Sequence, residues 1–327
     1  MQDLAKAADA ARALEDAGLD GGFSFEGPHD PFFPLVLAAQ ATTRLELGTS
    51  VAIAFARNPM IVAQQAWDLQ RLSRGRFILG LGSQIRAHIE RRFSQPWSHP
   101  AARMREFVLA LRAIWSAWQE RSKLDFRGEF YQHTLMTPFF DPGPLECARP
   151  RVFLAGVGPL MTEVAGEVAD GFLVHPFHTL AFVREQTLPA LERGLARGGK
   201  ARGQFEIACQ VMLAVGRTRE ELERAREAVR FQIAFYASTP AYRGVLVQHG
   251  WEALQPELNR LSKSGAWPEM AKRVGDELVD AVAVSGSPEE VAAELRARCG
   301  FAQRIALVTP YGVDPELLPE LVSSLRA

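Results

Sequence analysis

The residues best equipped for chemistry in this chain follow short apolar runs. Glu26-Gly27-Pro28-His29-Asp30 comes directly after Gly21 to Phe25, which sets a carboxylate and an imidazole three residues apart. A histidine that titrates near neutrality can pass a proton, and a carboxylate beside it can orient or charge it. Glu26 and His29 are therefore candidate catalytic residues; a loop salt bridge for Glu26 and a solvated polar side chain for His29 are the plain alternatives. Gly156-Val157-Gly158-Pro159 joins an apolar run to a helical one. Its glycines let the backbone approach a ligand closely, and a helix N-terminus favours an anion by about 0.3–1 kcal/mol when exposed. An ordinary tight turn would use the same residues. His175-Pro176-Phe177-His178 holds two imidazoles three apart, but Pro176 disfavours the helix that would align them on a metal. No metal site is read here.

These groups need elements to hold them, and the chain marks those elements clearly. Leu45 to Ile53 reads as a buried strand, Asn58-Pro59 opens a helix to about Leu72, and Ser73-Arg74-Gly75 stops it before the strand Phe77 to Ser83. Strand, crossover helix and strand in so few residues make a parallel βαβ unit. Glycines cluster at the carboxyl end of its second strand, where α/β proteins place ligands. A helix over residues 3–17 precedes the strand near 22, with Gly18 as its left-handed cap. Further strands are expected near 153, 172, 209 and 307, and Ser287-Pro288-Glu289-Glu290 is a capping box. Seven such units favour a (β/α)8 barrel over a doubly wound sheet. The expected organisation is a single domain over 1–327. Insertions are expected at about 120–150, Pro-rich with a short hairpin or extended lobe, and at 217–275, helical.

Bulk composition bounds the class. The 327 residues are 47% hydrophobic and 23% charged with a formal net charge of −1, which gives no reason to expect nucleic acid or an acidic membrane as a partner. Cys147, Cys209 and Cys299 stand far apart, without the spacing of a zinc ribbon or disulfide framework. No apolar run reaches membrane-spanning length and no signal-peptide pattern opens the chain, so a soluble cytoplasmic protein is expected.

Four stretches taken in order resemble the bacterial luciferase-like flavin and deazaflavin oxidoreductases: Phe23 to Asp30, Leu47 to Val51, Ser73 to Gly82 and Ala165 to Gly171. Arg86 to Arg92 and the Phe235-Tyr236 to Tyr242 region are most similar to the coenzyme F420 branch. The resemblance implies a luciferase-like TIM barrel with the cofactor ring over the carboxyl ends of the strands, and a homodimer. The family's first strand has no counterpart ahead of the first helix. The resemblance further implies a non-prolyl cis peptide at Ser50-Val51 backing the ring, a phosphate site at Gly156, Val157 and Gly158, and cofactor contacts from Thr49, Gly82, Ser83 and His175. A plain buried strand end is the alternative at Ser50-Val51. The activity implied is F420-dependent hydride transfer to or from a small organic substrate. Two other readings stay open: an FMNH2-dependent two-component monooxygenase, and a non-catalytic flavin-binding or structural relative. Trp97, in a Pro-flanked loop, is a candidate pocket residue. Trp115 and Trp118 read as core or interface, Arg86 as a ligand contact or a surface arginine, and Phe235, Tyr236 and Tyr242 as a cap on the site or helix packing.

Overall fold

The structure, a computed structural model, describes residues 3–312, 314 and 316–327. They form two compact units between which the chain passes more than once. The first holds the described residues up to Gly156 together with Leu160–Phe172 and Leu191–Phe205; the second holds Val157–Pro159, Leu173–Ala190 and the described residues from Glu206 onward.

The first unit is built on parallel strands β1 (Gly21–Ser24), β2 (Glu46–Thr49), β3 (Ala52–Ile53) and β4 (Phe77–Gly82). A two-stranded hairpin, β5 (Phe126–Arg127) and β6 (Gln132–His133), interrupts them before β7 (Arg151–Gly156). The lateral order is β1-β2-β4-β7, with β3 pairing the far end of β4. All six residues of β4 are buried, as a central parallel strand covered on both faces requires. The single strand expected from Leu45 to Ile53 is broken into β2 and β3 by a cis peptide at Ser50-Val51. Asn58 caps the crossover helix Pro59–Leu72, its side chain accepting the Ile61 N–H at 3.0 Å. Arg74 and Gly75 end that helix in left-handed conformations. Trp67, Trp115 and Trp118 cluster in the core, Trp67 stacking on Trp115 and meeting Trp118 edge-on with centroids 5.4 Å apart. The hairpin lies in the stretch 120–150, for which a short hairpin or an extended lobe is the sequence expectation.

The second unit contains the end of β8 (Gly171–Val174), then β9 (Glu206–Val215), β10 (Ala283–Gly286) and β11 (Arg304–Val308). β10 pairs the last four residues of β9 and β11 pairs Ala208 to Met212, both parallel. The region 217–275 is helical as expected, the longest helix being Arg219–Ala237. Strand β10 is an addition to the sequence reading. Helix Asp276–Val282 runs into it without a glycine or proline between them, so the apolar run gives no sign of where one element ends. The capping box at Ser287 is present, with Ser287 Oγ accepting from Glu290 N–H. Among the described residues no helix is long and apolar enough to cross a membrane.

Candidate functional site

Parallel pairing brings the carboxyl ends of β1, β2, β4 and β7 to one edge of the first unit's sheet. Ser24 lies beside Thr49, Ile53 beside Gly82, and Leu81 beside Leu154. That edge therefore collects Glu26, Ser50, Val51, Gly82, Ser83 and Gly156. Three of these six positions are fitted closely to one another. Glu26 N–H donates to Val51 O at 3.1 Å, and a Cβ built on Gly82 would lie 2.7 Å from Val51 Cγ2. Glycine at 82 is what lets Val51 pack down onto β4. Ser50 N–H donates to Ser24 O at 2.7 Å, tying the cis segment to β1.

Glu26 is held in place by a neighbour absent from the sequence reading. Its Oε2 accepts from Arg57 Nη1 at 2.6 Å and from Ile53 N–H at 2.7 Å. The same guanidinium reaches Asp30 Oδ2 at 2.8 Å and lies over the Phe32 ring at 5.5 Å. Glu26 and Arg57 side chains are only 6% and 13% exposed, so this pairing is shielded from solvent and geometrically specific. Glu26 thus braces the loop between β1 and β3, the salt-bridge alternative to a proton carrier. Arg57 stands four residues past β3 at the end of a one-turn helix; a lone arginine there gives no signal in sequence. His29 is exposed on the braced loop, whose Gly27 carbonyl also accepts from Arg92 Nη2.

Thr49 is buried and its hydroxyl donates to Gly80 O at 2.6 Å while accepting Gly80 N–H at 3.0 Å. Its side chain stitches β2 to β4, and only its backbone faces the edge. Ser83 Oγ donates to Gln84 O at 3.0 Å. Trp97 packs edge-on against Phe55 at 5.8 Å, next to the cis segment, which suits a pocket wall. Arg86 is solvent-facing and paired with Glu90 at 2.9 Å, the surface reading.

The loop Gly156-Val157-Gly158 leads into helix Pro159–Val168, whose first turn carries no acidic residue. The two glycines differ. A Cβ on Gly156 would meet Met161 Cγ at 2.8 Å, whereas one on Gly158 would meet nothing within 4 Å. Packing therefore explains Gly156, while Gly158 fronts open space at the helix N-terminus. That space, free of carboxylates in the first turn, fits a phosphorylated cofactor tail.

His175 follows β8 in the second unit. Its Nδ1 accepts the Phe177 N–H at 3.1 Å, and its ring stacks on Tyr242 at 4.5 Å and meets Tyr236 edge-on at 4.7 Å. Burial, with neighbouring His178 adding to it, pushes its pKa down to about 3. His178 is pushed down to about 4, chiefly by burial; its Nδ1 lies 2.8 Å from His175 O and its Nε2 lies 3.6 Å from Cys209 Sγ. Tyr242, also buried, is pushed up to about 12. Tyr236 and Tyr242 thus wall His175. Among the described residues no group of three or more His, Cys, Asp or Glu side chains could hold a metal ion.

Comparison with known proteins places these features in context. The family described as luciferase-like monooxygenase matches residues 1–302. An uncharacterized protein of Mycobacterium tuberculosis strain H37Rv is 59% identical over 303 residues, covering 92% of this chain and 89% of its own. The F420-dependent glucose-6-phosphate dehydrogenase of Intrasporangium calvum is 30% identical over 248 residues, covering 73% and 71%. Among solved structures, the coenzyme F420-dependent tetrahydromethanopterin reductase of Methanopyrus kandleri superposes with a TM-score of 0.80 at 20% identity, covering 98% of this chain and 94% of its own. That likeness shows the fold expected from sequence, the luciferase-like TIM-barrel type.

Proposed function

The chain belongs to the luciferase-like monooxygenase family, and from that premise we propose that it is an F420-dependent oxidoreductase acting on a small organic substrate. The observation that carries this reading is the carboxyl edge of the first unit's strands. There a glycine lets Val51 seat against β4, Glu26 is locked by Arg57, and β7 ends on Gly156. The identity to an F420-dependent dehydrogenase supports the deazaflavin over other redox groups.

When bound, the deazaflavin supplies a hydride equivalent at one ring carbon. The protein's part is binding and positioning. The backbone N–H groups at the start of helix Pro159–Val168 hold the phosphate, and Ser50-Val51 forms a flat backbone surface for the ring. Arg57 and Glu26 keep that surface rigid through Ile53. His29 is an exposed imidazole on the loop that follows β1, and its role in this reading is to exchange a proton with the substrate's oxygen. The reading includes a homodimer, which light scattering at several protein concentrations checks.

Family membership equally allows an FMNH2-dependent oxygenase, and one experiment separates the two. Purified protein is titrated with F420 and with FMN, in oxidised and reduced forms, while dissolved oxygen is followed. Tight F420 binding without FMN binding supports the proposal. Oxygen consumption with reduced FMN transfers the chain to the oxygenase reading, and binding of neither defeats both.

A further inference from the structure

Arg103 carries a shielded charge with part of its donor set unused. It stands in the first turn of the helix Pro100–Glu120 and is 9% exposed. Its guanidinium carbon lies 4.6 Å from the Phe55 ring centroid and 5.7 Å from that of Tyr131. Nε donates to the Tyr131 hydroxyl and Nη1 to Pro96 O, each at 2.8 Å. Among the described residues Nη2 has no hydrogen-bond partner, and Arg103 forms no ion pair; yet Nη2 is not sealed in the interior. Glu106, one turn along the helix, spends both carboxylate oxygens on the Glu129, Phe130 and Tyr131 N–H groups. Arg76 shows how a structural arginine is built in the same unit. It too forms no ion pair, but each of its guanidinium nitrogens donates to a backbone carbonyl, at Ser73, Leu45, Ala39 and Thr42. Arg103 lacks that closure. Its place is also telling: Phe55 lies in the turn Ala54–Ala56 that follows β3, whose Ile53 pairs with Gly82 at the carboxyl end of β4, and Trp97 meets Phe55 edge-on.

Resting on the F420 reading, we propose that Arg103 is a substrate-recognition residue whose Nη2 takes an anionic oxygen group, a carboxylate or a phosphate, on the molecule that exchanges the hydride. A guanidinium makes charge-assisted hydrogen bonds to such oxygens. The Phe55 and Tyr131 rings offset part of the cost of shielding the charge, but they offer Nη2 no acceptor. A shielded cation without a carboxylate is costly, and an anionic substrate supplies the missing partner. The substrate class is therefore an organic anion, with its charged end beside Trp97 and Phe55.

The test uses three probes, benzoate, phenyl phosphate and the neutral benzamide, titrated calorimetrically into the cofactor-free protein at low salt. The wild type should prefer one of the anions to benzamide by about ten-fold, benzoate assigning a carboxylate and phenyl phosphate a phosphate. Arg103→Met should erase that preference. Tyr131→Phe removes the partner of Nε but keeps the charge, and it should retain the preference; a residue that only braced the hairpin would lose it in both variants. In the wild type, the Arg103 Nε nitrogen-15 resonance, identified by its absence in Arg103→Lys, should move with the preferred anion and stay put with benzamide. That readout decides the matter even where the methionine variant does not fold. No anion preference in the wild type, a preference that survives Arg103→Met, equal loss in Tyr131→Phe, or an unmoved resonance overturns the proposal. F420 that displaces the anion, with weaker F420 binding by Arg103→Met, gives the contact to the cofactor and overturns the substrate assignment. A wild type that binds the anion but not F420 refutes the functional reading and leaves the anion site standing.

Discussion

Replacing Arg57 by methionine strikes the brace beneath the candidate cofactor surface. The guanidinium is shared by Glu26 and Asp30, whose carboxylates lie 2.6 and 2.8 Å away, and the Glu26 side chain is 6% exposed. Methionine keeps much of the aliphatic stem that packs by Phe32 but removes the charge, leaving Glu26 shielded and opposed by Asp30. Breaking a shielded pair by removing one partner costs about 3–5 kcal/mol. Asp30 is 29% exposed and recovers part of its hydration, so the lower end, about 3 kcal/mol, is the working value. Urea unfolding followed by circular dichroism measures this, and Glu26→Gln in the Arg57→Met background should return much of the loss. A single variant within about 1 kcal/mol of wild type, or a double variant no more stable than Arg57→Met alone, refutes the argument.

Glu15 predicts a second pH effect. Burial acts to raise its pKa, but the Arg44, Leu45 and Thr43 N–H groups outweigh this and bring it down to about 2. Its stabilisation, about 1–2 kcal/mol after discounting for solvent screening, is present above pH 4.5 and is lost as pH falls toward 2; Glu15→Gln should flatten that part of the acid-unfolding profile. Gly82→Ala would drive a methyl into Val51 Cγ2 and should cost about 1–3 kcal/mol in thermal or urea denaturation while weakening F420 binding. Gly158→Ala has no such clash, so its thermal midpoint should match wild type while its F420 affinity falls; unchanged affinity would remove the phosphate role from this loop. Gly194→Ala should destabilise more than either, because its Cβ would strike the Glu163 carbonyl across the facing helix; a denaturation midpoint equal to wild type would contradict that close packing.

The sequence by itself determined the alternation of strands and helices, because each boundary carries a local signal. Asn58-Pro59, Ser73-Arg74-Gly75, Gly18 and the Ser287 capping box act within a few residues of themselves. The parallel strand ends and their glycines were legible for the same reason, and the cis peptide at Ser50-Val51 was reached by resemblance. Strand β10 stayed hidden because nothing local separates Val282 from Ala283. What only the tertiary structure decided was the partner of each polar group. Glu26 meets Arg57 thirty-one residues away, Thr49 turns its hydroxyl to Gly80, and His175 is lowered in pKa by burial, with Tyr236 and Tyr242 from a distant helix and turn against its ring. Charge state and donor direction are set by burial and by neighbours brought in from afar, and neither is encoded in the residues adjoining the group itself.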